Sequence, residues 1–108
     1  MNEPLFFTHA EWRVQPGSED EFIAAWLAVA EAFTSLPAQP LWGTLLRSEQ
    51  DPTLFYSFGP WPNEAAIAAM RSDSNARVAL QRAMALCVGA TPGTYRQVAH
   101  VDVRKPAT

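Results

Sequence analysis

Residues 51–73, DPTLFYSFGPWPNEAAIAAMRSD, carry the information that orders the rest of the chain. Asp51 and Pro52 are turn formers. Residues 53–58, TLFYSF, follow as an aromatic, β-branched run of strand character. A tryptophan then stands between two prolines, and Asn63 opens a stretch of helical composition that lasts to Met70. Pro60 and Pro62 each fix their own φ, and Pro62 also biases Trp61 towards extended backbone. Asn63 is placed to cap the helix that follows. The stretch therefore reads turn, strand, rigid corner, helix. It leaves open whether the Trp61 side chain plugs the junction or forms the wall of a cavity.

Working outward, residues 5–14, LFFTHAEWRV, read as a first strand, broken at Pro16-Gly17. Ser18 with Glu21 three residues on is the pattern of a capping box, and Glu19, Asp20 and Glu21 suit the positive end of a helix. That helix is expected over residues 19–35, with Phe22, Trp26, Val29 and Phe33 as its apolar stripe and Ile23, Leu27 and Ala30 beside it. A second strand is expected over 41–48. Ser72-Asp73 reads as a break and a new cap, and a longer helix is expected to about Cys87. Gly89 and Pro92-Gly93 are read as its end, with a last strand over 94–103. The order β-α-β-β-α-β is the split βαβ, ferredoxin-like α+β pattern: a four-stranded antiparallel sheet with helices on one face.

A sheet covered on one face only should alternate apolar with polar residues. This one does not. Leu54, Tyr56 and Phe58 oppose Phe55 and Ser57 in one strand. In the first, Phe6, Ala10, Trp12 and Val14 oppose Phe7, His9, Glu11 and Arg13. Both faces carry bulky apolar groups, which predicts a homodimer through the sheet face.

Composition excludes several classes. With 108 residues the chain is expected to be a single domain, 1–108 with its core at about 5–103, burying roughly 60–70% of its unfolded surface. A net charge of −3 gives no electrostatic reason for nucleic acid or anionic lipid as partner. The longest apolar run, residues 22–30, is far short of a membrane span of roughly 18 residues, and MNEPLFF has no signal-peptide pattern. A single cysteine, Cys87, permits no intrachain disulfide. A cytoplasmic location is the expectation.

Val14-Gln15-Pro16-Gly17 followed by acids and Phe22, then Leu45-Leu46-Arg47-Ser48, Asp51-Pro52-Thr53 and Trp61-Pro62-Asn63-Glu64-Ala65, give a chain that resembles the antibiotic biosynthesis monooxygenase family. The resemblance implies a dimeric α+β barrel with a cleft between sheet and helices in each protomer. It spans several chemistries: cofactor-free oxygenases of aromatic polyketides, haem-degrading enzymes and quinol oxygenases. The haem branch uses an asparagine, a tryptophan and a histidine that fall at or near Ala10, Ala69 and Ala79. All three are alanine here, so haem degradation is disfavoured. The expected function is a cofactor-independent monooxygenase of a small aromatic, polyketide or quinol-type substrate. A non-catalytic dimeric ligand-binding or interaction module on the same fold is the alternative.

Such a reaction needs water exclusion, a held ring, and a base or donors where an oxyanion forms. Trp61 and Tyr56 are the residues expected to line the cleft. His9 is the candidate general base, although its parity places it on the barrel face. Trp12, Arg71, Asn75 and Arg77 are the candidate substrate contacts. His9 and His100, both read as strand residues on neighbouring strands, reach a three-ligand metal set only with Glu11 or Asp102. No metal and no cofactor is expected.

Overall fold

A computed structural model describes residues 5–104. Seven elements follow in order: β1 (Phe6–Val14), α1 (Glu19–Phe33), β2 (Thr44–Arg47), β3 (Leu54–Trp61), α2 (Glu64–Ser72), α3 (Ser74–Met84) and β4 (Cys87–Arg96). The strands form one antiparallel sheet in the order β2-β3-β1-β4, the ferredoxin-like arrangement.

The faces follow the expected parity. Trp12, Val14, Phe55 and Trp61 are buried on the helix-covered side, since β1 pairs with β3 as Trp12↔Phe55 and Phe6↔Trp61. The first core cluster joins Trp12, Val14 and Phe55 to Phe22 and Val29 of α1 and Ala83 of α3. Phe22 sits between two aromatic neighbours, its ring 5.2 Å from Trp12 and 5.0 Å from Phe55. The Trp12 indole N–H donates to Ser57 Oγ at 2.9 Å inside this core. Ser57→Ala would leave that donor without a partner, so the domain should lose about 1–3 kcal/mol. Chemical denaturation measures this loss. A variant as stable as the parent would mean that water reaches the indole.

Local signals explain most element ends. Asn63 Oδ1 accepts from Ala66 N at 2.9 Å, and Asp73 Oδ2 accepts from Ala76 N at 2.9 Å, so both expected caps form and Asp73 separates α2 from α3. In the β2–β3 turn, Asp51 Oδ1 accepts from Thr53 Oγ1 at 2.7 Å and from Thr53 N at 3.0 Å. These bonds hold the Asp51 carboxyl below its ordinary pKa.

Four expectations are corrected. The capping box of α1 does not form. Ser18 has φ −105° and ψ 13°, away from extended cap geometry, and its side chain makes no cap bond. Glu19 Oε1 instead accepts from Gly17 N at 2.8 Å. The second strand covers only residues 44–47, while the third runs on through Pro60 to Trp61. Pro60 is tolerated because β2 pairs with β3 only as far as Thr44↔Phe58. The Pro60 carbonyl accepts from Leu41 N on that same side, so its missing N–H faces no ladder partner. The last strand is Cys87–Arg96, not 94–103, and α3 stops at Met84. β4 pairs only with β1, so Pro92 on an edge strand leaves no ladder bond unmade. Finally, residues 97–104 form no helix or strand. His100 therefore lies in an exposed segment, 3.2 Å from Asp102, and is not a strand neighbour of His9, which stands opposite Gly93.

Candidate functional site

The two edges of the helix-covered face each carry a cleft. The larger, about 690 Å³, lies where α2 and the start of α3 meet β4, lined by Glu64, Ala65, Ala68, Arg71, Arg77 and Thr94 among others. α2 presents Glu64, Ala68 and Arg71 to it at helical spacing, with the buried Ile67 at its floor, while Ala66 and Met70 are buried in the core. Arg71 Nη2 donates to Thr94 Oγ1 at 2.6 Å, tying helix to strand. Thr94 pairs across the ladder with Thr8, and the Trp61 indole N–H donates to Thr8 Oγ1 at 2.9 Å.

Two threonine hydroxyls thus stand side by side on the helix-facing surface, each already accepting one hydrogen bond. Each keeps its own proton to donate. Thr94, Ser72, the Arg71 and Arg77 guanidinium groups and the Glu64 carboxylate form the polar lining, with Thr8 next to Thr94 in the ladder. Among the described residues neither Arg71 nor Arg77 forms an ion pair with a carboxylate. The arrangement suits an organic anion, with Ala65 and Ala68 short enough to leave width for a flat ring.

The structure separates residues that the sequence grouped together. Trp61 is 1% exposed and packs with Leu36, Ala66, Ile67, Met70 and Ala76, its ring 5.5 Å from Phe33. Its side chain is a plug whose one polar atom reaches the cleft through Thr8. Trp12 is also core and lines neither of the two clefts. Tyr56 faces away from Trp61, on the open side of the sheet, and its hydroxyl donates to Glu11 Oε1 at 3.3 Å. Glu11 Oε2 in turn accepts from Arg13 Nε at 3.1 Å. His9 shares this face, its ring 5.5 Å from Tyr56, 6.4 Å from Phe58 and 5.8 Å from Tyr95. Asn75 is exposed and does not line this cleft, and Asp73, not Asn75, caps α3. Of the expected set, Arg71 and Arg77 reach the cleft and Trp61 stands behind it.

Sequence reasoning missed Glu64, Thr8 and Thr94. Glu64 read as part of a helix start, and Thr94 as the beginning of a strand it in fact nearly ends. Cys87, half-buried at the start of β4, has its thiol pKa raised by burial, which keeps it protonated and unreactive at neutral pH. No cluster of three or more metal-ligating side chains occurs among the described residues. No helix among them is long and apolar enough to cross a membrane.

Fold and cleft together define a small ferredoxin-like α+β domain with a polar pocket at one edge of its helix-covered face. More narrowly, the chain belongs to the antibiotic biosynthesis monooxygenase family, whose model matches residues 5–82. SnoaB, a cofactor-independent oxygenase from Streptomyces nogalater, superposes with a TM-score of 0.80 at 16% identity, over 95% of this chain and 100% of that one. A Pseudomonas aeruginosa protein gives 0.74 at 16%, over 92% and 99%. A Shewanella oneidensis protein gives 0.75 at 16%, over 89% and 93%. At such identity these likenesses establish the fold. Among curated sequences there is no significant match.

Proposed function

We propose that the protein is a cofactor-independent monooxygenase of a small aromatic, polyketide or quinol-type substrate, working as a homodimer joined through its open sheet face. The observation that carries the reading is the Glu64–Arg71–Arg77–Thr94 cleft in a chain of this family. The likeness to SnoaB, described as cofactor-independent, supports it.

In this reading a flat ring enters beside Ala65 and Ala68. Glu64 takes a proton from an acidic ring position, and Arg71, Arg77 and the Thr94 hydroxyl hold the negative charge that develops on the ring oxygen. The electron-rich anion then reduces dioxygen. For a ring methylene, one oxygen atom becomes the new carbonyl and the other leaves as water with the two former C–H protons. Trp61 acts as a positioning residue, because its bond to Thr8 fixes the threonine pair. His9 and Tyr56 are assigned to the dimer face, not to this chemistry.

The test is oxygen uptake by metal-stripped protein with anthrones, naphthols and hydroquinones. Uptake above autoxidation should fall roughly 100-fold or more in Glu64→Gln and about 10–100-fold in Arg71→Gln, in line with a lost proton acceptor or oxyanion donor. Uptake unaffected by both variants would remove the cleft from the chemistry.

A second reading, a non-catalytic ligand-binding module, is favoured by one observation. The space between sheet and helices is filled by Trp12, Phe22, Phe55 and Trp61, so the cleft lies at the edge of the fold and its side chains are largely exposed. Saturable binding of these compounds with no uptake would select it.

A further inference from the structure

The opposite edge of the helix-covered face carries a second cleft, of about 440 Å³, between α1 and the β2 edge. Its composition differs from that of the first. Trp26, Ile23 and Leu27 of α1 form one wall. Leu45 and Arg47 of β2 form the other, with the Phe55 ring between them. The pairings Leu45↔Ser57 and Arg47↔Phe55 place both β2 side chains on the same side of the sheet.

Three features point to a ligand. First, Leu27 is 58% exposed although it belongs to the apolar half of α1, so the wall is wet in the free chain. Second, Arg47, the only cation among the described residues that line the cleft, holds its guanidinium carbon 4.9 Å from the Phe55 ring centroid. Among the described residues it forms no ion pair with a carboxylate. Third, a Cβ added at Gly43 would meet nothing nearer than the edge of the Trp26 ring, at 3.9 Å. That is ordinary van der Waals contact, so the glycine keeps the indole edge clear of a side chain, with room there for a methyl group and no more. An indole on one side, an aliphatic strand on the other and a planar guanidinium at the rim match a planar aromatic ring bearing a carboxylate. The ring stacks on Trp26 and the carboxylate takes two parallel bonds from Arg47.

We infer that the Trp26–Phe55–Arg47 slot binds a planar aromatic carboxylate, independently of the cleft at β4. A ligand here bridges α1 to the edge strand β2.

The test uses the full chain and naphthalene-2-carboxylate, titrated by calorimetry, with 2-naphthalenemethanol as the neutral analogue. One carboxylate should bind per chain at this slot, apart from any held at the β4 cleft, and the alcohol at least tenfold more weakly. Arg47→Gln should weaken the carboxylate at least tenfold and remove the preference over the alcohol. Gly43→Val, whose branched side chain would crowd the Trp26 ring edge, should weaken binding of both at least tenfold. Arg71→Gln, at the other edge, should leave the affinity of this slot as in the parent, and this separates failure here from failure of the oxygenase reading. Equal affinity for acid and alcohol, unchanged binding in Gly43→Val, or loss in Arg71→Gln would each overturn the assignment.

Discussion

Trp61→Ala should lower the thermal midpoint by roughly 12–20 °C. Removing a buried tryptophan costs about 3–5 kcal/mol in transfer and cavity terms, and a domain of this size loses about 4 °C per kcal/mol. Set against a total stability of roughly 5–15 kcal/mol, the variant keeps little margin at growth temperature. The size of the effect follows from what the ring touches. It is 1% exposed, meets residues of the α1–β2 connection, α2 and α3, and packs edge-on to Phe33. The stiff Pro60–Pro62 backbone gives the site little freedom to collapse. Trp61→Phe keeps most of the apolar area and loses only the bond to Thr8, so it should cost about 1–2 kcal/mol. A drop of less than about 4 °C for the alanine variant, followed by calorimetry, would show that the ring does not bridge these elements. If the oxygenase reading holds, Trp61→Phe also lowers turnover while remaining folded, because Thr8, the ladder neighbour of Thr94, loses the indole N–H that fixes its hydroxyl.

The second large effect is expected on assembly. On the uncovered face of the sheet Trp42, Leu46 and Tyr95 are 50%, 51% and 57% exposed. They surround a half-buried aromatic layer in which Trp42 lies 6.1 Å from both Phe7 and Phe58. The Tyr95 ring lies back over Gly93, where any Cβ would sit only 2.9 Å from it. Such a layer is costly to leave in water, and a second copy placing the same face against it removes the cost. The protein should therefore sediment as a dimer. Leu46→Glu should weaken association at least hundredfold, since two-fold symmetry buries the new carboxylate twice, against an apolar face. Because Leu46 is half exposed in the single chain, the monomer should keep its fold and its far-ultraviolet spectrum. A parent protein that is already monomeric at tens of micromolar would leave the open face to some other occupant.

The consequences for function differ between the two faces. The helix-covered side holds both clefts, and the open side holds His9, Tyr56 and the Glu11–Arg13 pair. The Tyr56 proton is engaged by Glu11, so this hydroxyl serves the sheet face. Any reaction in the β4 cleft relies on Glu64, the two arginines and Thr94.

Strand and helix types, their order and the facing of the first and third strands were legible from the chain itself. They follow from local rules: period-two alternation in residues 6–14 and 54–58, a cap at Asn63, and a break at Asp73. Such rules act over a few residues and need no knowledge of neighbours. One kind of failure recurred in the strands. Pro60, Pro92 and Gly93 read as breakers, yet each sits inside a strand. Whether a proline breaks a strand depends on whether its missing N–H would have met a partner, which is a property of strand order.

The site followed the same division. The chain alone determined which residues carry charge, which are rigid, and that the sheet has two apolar faces. Only the tertiary structure decided that Trp61 fills its corner, that Trp61 and Tyr56 lie on opposite faces, and that Thr8 and Thr94 stand together beneath Arg71. Residue 94 comes within hydrogen-bonding reach of residue 71 because β4 pairs beside β1 from Cys87 to Arg96. That register is set by long-range packing across the sheet, which no local pattern in the sequence encodes.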